Sequence, residues 1–234
     1  MEIDYSSSTL GSAVAGVLKV IHVIPHTRRS HYADQFQERE ELLQRLLSNR
    51  SSAGVNQPQT DTAQSASLFP DEDTPLAIHL MRLDDIGSLL GAVKLNPSEF
   101  RPAGATPDEI RAMQALPIAG DSWDVYDICF RKTPEIKQTF FKMMLGILEF
   151  SLTWGIKSLN FLLDEDLQLA LLLLPLAADA IDDPIELNGT NYTPIAIRVS
   201  GDAVRAVRAL TKTKSPQLLM ATDTDTSPPL SPLL

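Results

Sequence analysis

Short β-branched or aliphatic runs alternate with longer segments of helical periodicity, and this alternation constrains the fold most. Residues 30–47 and 134–154 repeat apolar side chains at helical spacing, with charged residues between them. The strand-like runs around these helices are 18–24, 76–83, 88–95, 122–131 and 157–163. Strands that flank helices in this way predict an α/β domain built on one central sheet.

Turn and cap signals divide the chain further. Asp84-Asp85-Ile86-Gly87 and Asn188-Gly189 each separate two strand-like runs and predict hairpins. Thr133-Pro134-Glu135 predicts a helix start and Gly155 a helix end. The remaining predicted elements are a helix from 164 or 165, strands 180–187 and 192–199, a helix 201–212 and a short strand 217–220. Because hairpins and crossover helices both occur, the sheet should be mixed and flanked by helices.

The chain has 234 residues, enough for one large domain with tails. Residues 1–16 are small and Ser-rich, and residues 221–234 are rich in Thr, Asp, Ser and Pro, so we expect both ends to be flexible. Residues 48–68 have the same polar character and predict a mobile internal loop. The domain itself should span residues 17–220.

Charge and hydropathy exclude several classes of protein. Twenty Lys and Arg against thirty Asp and Glu give a net charge of −10, which disfavours non-specific nucleic-acid binding. The most apolar run, 167–181, is interrupted by Pro175 and is too short to span a membrane. The N-terminal residues carry negative charge where a signal peptide needs positive charge. With Cys129 as the one cysteine, we expect a soluble cytoplasmic protein without disulfides.

Familiar catalytic motifs are scarce. The sequence has no glycine-rich phosphate loop, no Cys/His cluster with zinc spacing and no Gly-x-Ser-x-Gly. His22 and His79 lie in strand patterns, and Cys129 lies inside a strand. We therefore expect structural roles for all three rather than catalysis, and no bound metal.

A series of short motifs nevertheless resembles the acyl-homoserine-lactone synthases, over about Leu18 to Met220. His31-Tyr-Ala-Asp-Gln-Phe36 leads into a helix with Arg39-Glu-Glu-Leu-Leu43, where that family has Arg-x-x-x-Phe. Gly91-Ala-Val-Lys-Leu-Asn-Pro97 is similar to the family's Gly-x-x-Arg-Leu-x-Pro. Trp123-Asp-Val-Tyr-Asp-Ile-Cys129 stands where relatives have Trp-Glu-x-x-Arg-x-Cys. The order and spacing of these matches carry the resemblance, because each contains a substitution.

This resemblance implies an acetyltransferase-like fold and a specific reaction. Family members transfer an acyl chain from acyl carrier protein, or from acyl-CoA, to the amine of S-adenosylmethionine, close a lactone and release methylthioadenosine. S-adenosylmethionine would be a substrate, and no cofactor is implied. The residues that the resemblance places in the site are Asp124 and Asp73 as catalytic groups, with Arg39, Lys94, Asp127 and Trp123 contacting substrate.

Four departures from the family pattern fall in this site. Asp127 and Lys94 each stand where relatives have Arg, Leu43 replaces Phe, and a family Trp is missing. The alternative function is therefore that of a non-catalytic homologue that binds a donor, a nucleotide or an active synthase. If strand 122–131 alternates regularly, Asp127 faces the same side as Val125 and needs a partner, for which we favour Lys94. On this basis we expect weak binding of S-adenosylmethionine, strengthened by Asp127→Arg.

Two groups of cations stand out in an acidic chain. Arg205, Arg208 and Lys212 fall on one face of the last helix, where they would suit the acidic acyl carrier protein. A solvated helix surface explains the same spacing and is the commoner use of such charges. The second group is Arg131, Lys132, Lys137 and Lys142.

Overall fold

The computed structural model describes residues 21–51, 76–101, 107–187, 189–214, 216–221 and 230–232. Five α-helices lie in these ranges: α1 (Ala33–Ser51), α2 (Pro107–Gln114), α3 (Ile136–Thr153), α4 (Glu165–Leu171) and α5 (Gly201–Thr211). The strands are β1 (Ile21–Pro25), β2 (Ile78–Leu83), β3 (Leu89–Pro97), β4 (Ser122–Phe130), β5 (Ser158–Leu163), β6 (Ala178–Ala180), β7 (Ile185–Leu187), β8 (Thr190–Arg198), β9 (Leu218–Ala221) and β10 (Leu230–Pro232).

The strands form the mixed sheet that the sequence predicts. Their order is β10-β9-β1-β2-β3-β4-β5-β8-β6, and β7 pairs with the opposite end of β8. β4 and β5 are parallel, as are β1 and β9, and the other neighbours are antiparallel. β4 therefore lies near the middle of the sheet, so that both of its faces are covered.

One side of the sheet, the α3 face, is apolar. Apolar side chains of β1 to β5 and β8 pack there against α3, and α5 packs on α3 through Val204 and Val207. Gly146 allows α3 to approach β1 closely, since a Cβ atom at this position would overlap the Ile21 side chain. This face follows directly from the period-2 and period-3.6 apolar patterns in the sequence.

The other side, the α1 face, has two apolar clusters with polar residues between them. Phe36 and Leu43 of α1 pack over one end of β1–β4, and Met113 of α2 packs near Leu162 and Tyr192 at the other end. Between the clusters lies a row of buried polar side chains, the polar strip: His79, Lys94, Asn96, Asp124, Asp127 and Asn160. Burying so many polar groups is costly unless they are hydrogen-bonded, which directs attention to this strip.

Both predicted hairpins are present. β2 and β3 join through the Asp84–Gly87 turn, in which Gly87 has a φ of 88°, and β7 and β8 join at Gly189 with a φ of 75°. Gly155, with a φ of 72°, ends α3 as predicted. The strand predicted at 180–187 is instead two short strands, β6 and β7, because Pro184 lies between them and cannot donate to a ladder.

α2 and β10 are not among the predicted elements. α2 has few apolar positions, and its periodic signal is short. The N-terminal tail and residues 52–68 of the predicted mobile loop lie outside the described residues, while α1 extends to Ser51. Within the described ranges, no helix has the length and hydropathy that crossing a bilayer requires.

Candidate functional site on the α1 face

β4 is interrupted at Asp127 by a β-bulge. Its register with β3 passes from Lys94 opposite Tyr126 to Ala92 opposite Cys129, so two β4 residues face Val93. Asp127 has a φ of 50°, a left-handed conformation that Asp tolerates better than most residues. The extra residue shifts the alternation, and Asp124, Tyr126, Asp127 and Cys129 all lie on the α1 face. The prediction that Asp127 shares a face with Val125 is therefore wrong, because it assumed a regular strand.

Asp127 forms a buried ion pair with α1. Arg39 Nη2 donates to Asp127 Oδ2 at 2.7 Å, and both side chains are 0% exposed. The sequence favours Lys94 as a partner, and Lys94 is buried on the neighbouring strand, opposite Tyr126; the structure adds Arg39 as a cation at hydrogen-bonding distance from Asp127. With this geometry we no longer expect Asp127→Arg to strengthen the binding of S-adenosylmethionine, because the change would bury two guanidinium groups side by side.

Asp124 accepts hydrogen bonds from four side chains. Its Oδ1 accepts from Ser98 Oγ at 2.7 Å, Asn160 Nδ2 at 2.8 Å and Arg101 Nη2 at 3.1 Å. Its Oδ2 accepts from Arg101 Nε at 2.5 Å and from the Tyr126 hydroxyl at 2.9 Å. These five contacts fix the position of the carboxylate, which in turn orients the side chains that donate to it.

Arg101 connects Asp124 to the segment that follows β3. Besides its two bonds to Asp124, its guanidinium donates to the carbonyl oxygens of Met113, Leu116 and Pro117, at 2.7 to 2.9 Å. The end of α2 is thereby held over β4. Sequence reasoning missed Arg101, Ser98 and Asn160, and the backbone carbonyls that Arg101 contacts carry no sequence signal.

β4 and β5 diverge beside the bulge. Their parallel register runs from Ser122 opposite Ser158 to Val125 opposite Phe161, whereas β4 continues to Phe130. The strands therefore separate at the point where the polar strip and the bulge meet. β4 then leads through Arg131 and Lys132 to the N-terminus of α3, where the N-cap residue makes no side-chain hydrogen bond to the helix.

Two further ionisable groups near the strip, Cys129 and Tyr126, are poor nucleophiles. Burial raises the pKa of the Cys129 thiol to about 12, so Cys129 is a neutral core side chain, as predicted. Burial and the neighbouring Asp124 carboxylate raise the pKa of Tyr126, which keeps its phenol protonated as a donor. Among the described residues, no group of three or more His, Cys, Asp or Glu could hold a metal ion.

Other predicted residues lie away from the polar strip. Trp123 is on the α3 face, edge-on to Phe150 with ring centroids 5.8 Å apart. Arg208 Nη2 donates to Glu149 of α3 at 2.6 Å, Arg205 pairs with Asp202, and Lys212 is exposed at the end of α5. Asp73 lies outside the described residues.

Comparisons with known proteins support the predicted fold. No protein-family model and no curated protein matches this sequence. The fold matches solved acyl-homoserine lactone synthases, including the CoA-dependent enzyme MesI, with 16% identity and a TM-score of 0.56 over 85% of this chain and 98% of that one. BjaI, a CoA-dependent synthase solved with SAM and isopentyl-CoA, gives 13% identity and a TM-score of 0.63, over 86% and 92%. LasI gives 11% and 0.51, over 72% and 88%.

Proposed function

We propose that this protein is an acyltransferase of the acyl-homoserine-lactone synthase type, which transfers an acyl chain to the amine of S-adenosylmethionine. The observation that carries the proposal is the opening between β4 and β5 beside the Asp127 bulge and the polar strip. A narrow donor can enter between diverging strands, and polar groups on the α1 face can hold the acceptor. The fold shared with MesI and BjaI points to the same chemistry.

The acyl donor would be a thioester on a phosphopantetheine arm. The N-terminus of α3 lies a short segment after β4 and has no side-chain cap, so the dipole of the helix favours phosphate there. Lys132 and Lys137 are close in sequence to this terminus and add positive charge, while Arg131 pairs with Glu38 of α1. MesI and BjaI are CoA-dependent synthases, which favours acyl-CoA as the donor. Acyl carrier protein is the alternative carrier of the same arm.

The acceptor amine would lie over the polar strip. In the reaction the amine nitrogen attacks the thioester carbon, the thiol leaves, and the amine proton must pass to a base or to water. The carboxylate of the methionyl group then attacks its own Cγ and displaces methylthioadenosine. Asp124, with five donor contacts, would orient this region, and a backbone N–H at the bulge would polarise the acyl carbonyl.

A specific observation favours the non-catalytic alternative. Asp124 is committed to Ser98, Arg101, Tyr126 and Asn160, and Arg39 is bonded to Asp127. A homologue with these groups engaged in its own structure could bind a donor without transferring its acyl chain. Binding without turnover is the result that distinguishes the two functions.

The test is mass spectrometry of the purified protein incubated with S-adenosylmethionine and either acyl-CoA or acyl carrier protein charged with the same acyl chain. We expect N-acyl-homoserine lactone and methylthioadenosine in equal amounts. An active synthase assayed in parallel serves as the control for substrates and detection. If the control forms product, and this protein binds the donor but forms none, the proposal is wrong and the binding function replaces it.

A further inference from the structure

The surface around α4 combines exposed leucines with uncompensated negative charge. Between Ser158 and Ile197 the chain has seven acidic residues and no Lys, Arg or His, although it contains 20 Lys and Arg in total. Six of these acids are exposed, and no ion pair within the described part of the chain neutralises any of the six. They are Glu165, Asp166, Asp179, Asp182, Asp183 and Glu186.

Three leucines extend the same helix surface. Leu169, Leu172 and Leu173 are 55%, 72% and 52% exposed, while Leu171 and Leu174 between and beside them are buried in the core. Hydrogen bonds from the N–H groups of residues 172, 173 and 174 continue the helical turns past the end of α4. At helical spacing, Glu165, Asp166, Leu169, Leu172 and Leu173 therefore form one stripe, the α4 stripe, with acids first and leucines after them.

Folding does not require this pattern. α4 already covers the α3 face of the sheet with Leu167, Ala170 and Leu171, so the outward leucines contribute nothing to the described core. Adjacent exposed apolar side chains bordered by charge are typical of a docking surface. An anionic membrane surface would be repelled by the unpaired carboxylates, and so would the acidic acyl carrier protein.

We propose that the α4 stripe binds a cationic amphipathic helix of another protein. The leucines of such a helix would cover Leu169, Leu172 and Leu173, and its Lys or Arg side chains would pair with Glu165 and Asp166. We favour this partner because a cationic amphipathic helix matches both the leucines and the carboxylates of the stripe. The proposal is independent of the acyltransferase function, because the stripe is on the opposite side of the sheet from the polar strip.

The test uses two fluorescent amphipathic peptides with identical leucine positions, one with lysines and one with glutamates on the polar side. Fluorescence anisotropy at moderate salt should detect the lysine peptide and not the glutamate peptide. The variant Leu172→Ser/Leu173→Ser should weaken binding at least about tenfold, since anchors in a helix-docking surface dominate its affinity. Glu165→Gln/Asp166→Asn should weaken binding less and reduce its salt dependence.

Matched substitutions at exposed leucines elsewhere supply the control. Leu152→Ser/Leu210→Ser removes two leucines of similar exposure on α3 and α5 and should leave peptide binding unchanged. Equal binding of both peptides, or equal loss in the control variant, would overturn the proposal. Sedimentation velocity without peptide provides a further test. If the unmodified protein is a dimer and Leu172→Ser/Leu173→Ser is a monomer, a second copy of this chain covers the α4 stripe and the proposal is wrong.

Discussion

The two faces of the central sheet are both covered by helices but differ in what they bury. On the α3 face, aliphatic and aromatic side chains fill the space between the strands, α3 and α5. On the α1 face, the polar strip separates two smaller apolar clusters and includes the ion pair between Arg39 and Asp127. The first face contributes stability through buried apolar area, and the second contributes specific polar contacts at a stability cost.

This difference indicates how the domain divides its roles. The apolar face tolerates changes that preserve volume, since packing there depends on shape and hydropathy. The polar strip tolerates few changes, since Asp124, Asn160 and Asp127 are each held by specific side-chain hydrogen bonds. We infer that the α1 face is kept polar for ligands, and the following predictions test that inference.

The largest expected effect is on the buried ion pair. Asp127→Asn keeps the tolerance for positive φ and the side-chain size but removes the carboxylate charge that pairs with Arg39. The free energy of unfolding should fall by about 3–5 kcal/mol, measured by urea denaturation. The matched control is Arg45→Gln on the same helix, which breaks an exposed pair with Glu41 and should cost less than about 1 kcal/mol. If Asp127→Asn lowers the free energy of unfolding by no more than this control does, the ion pair does not fix the bulge.

The next largest effect is a pH dependence of the free energy of unfolding, caused by His22 on the α1 face. Burial lowers its pKa from 6.5 to about 4, and among the described residues neither ring nitrogen has a hydrogen-bond partner. Between these values the unfolded chain binds a proton that the folded chain excludes. The contribution of the neutral His22 to the free energy of unfolding should therefore be fully present above pH 6.5. It should decrease by about 3 kcal/mol as the pH falls to 4.

His22→Phe removes this titration while keeping an aromatic ring against Tyr32, so the difference in stability between pH 7 and pH 4.5 should shrink. His31→Asn is the control, because His31 is exposed, and it should leave the acid sensitivity unchanged. Urea denaturation at both pH values measures the effect. If His22→Phe retains the full acid sensitivity, other groups are responsible for it.

The smallest effect on stability is expected from surface charge on α5. Arg205→Glu/Lys212→Glu should change the free energy of unfolding little while slowing association with acyl carrier protein, in a way that high salt suppresses. Arg208 is left intact because reversing it would break its bond to the buried Glu149. Arg45→Glu/Lys157→Glu reverses two exposed cations elsewhere and is the control for total charge. If the double reversal leaves a detectable association rate unchanged, the docking face lies elsewhere.

Much of the fold follows from sequence periodicity. The alternating runs predict β1 to β5, and the apolar spacing of α3 predicts its core face, since both patterns are local. The Asp84–Gly87 and Asn188-Gly189 turns fix two strand pairings for the same reason. α2 could not be found in this way, because its position depends on Arg101 contacting carbonyl oxygens distant in sequence.

The site was predicted less completely than the fold. The resemblance points to Asp124 and Asp127 as site residues, but a bulge changes which face a strand residue occupies, and no period-2 pattern reports it. Pairing between Arg39 and Asp127, 88 positions apart, depends on how α1 lies on the sheet. Such long-range polar pairs leave no periodic signal in a single sequence.

The central claim is that ligands bind on the α1 face where β4 and β5 diverge. The most direct measurement is hydrogen exchange by mass spectrometry, with and without S-adenosylmethionine plus a non-reactive acyl-CoA analogue. Peptides covering β4, residues 158–163 and the first turns of α1 should exchange more slowly with both ligands bound. Unchanged exchange there, or slowing confined to the surface of α5, would contradict the account.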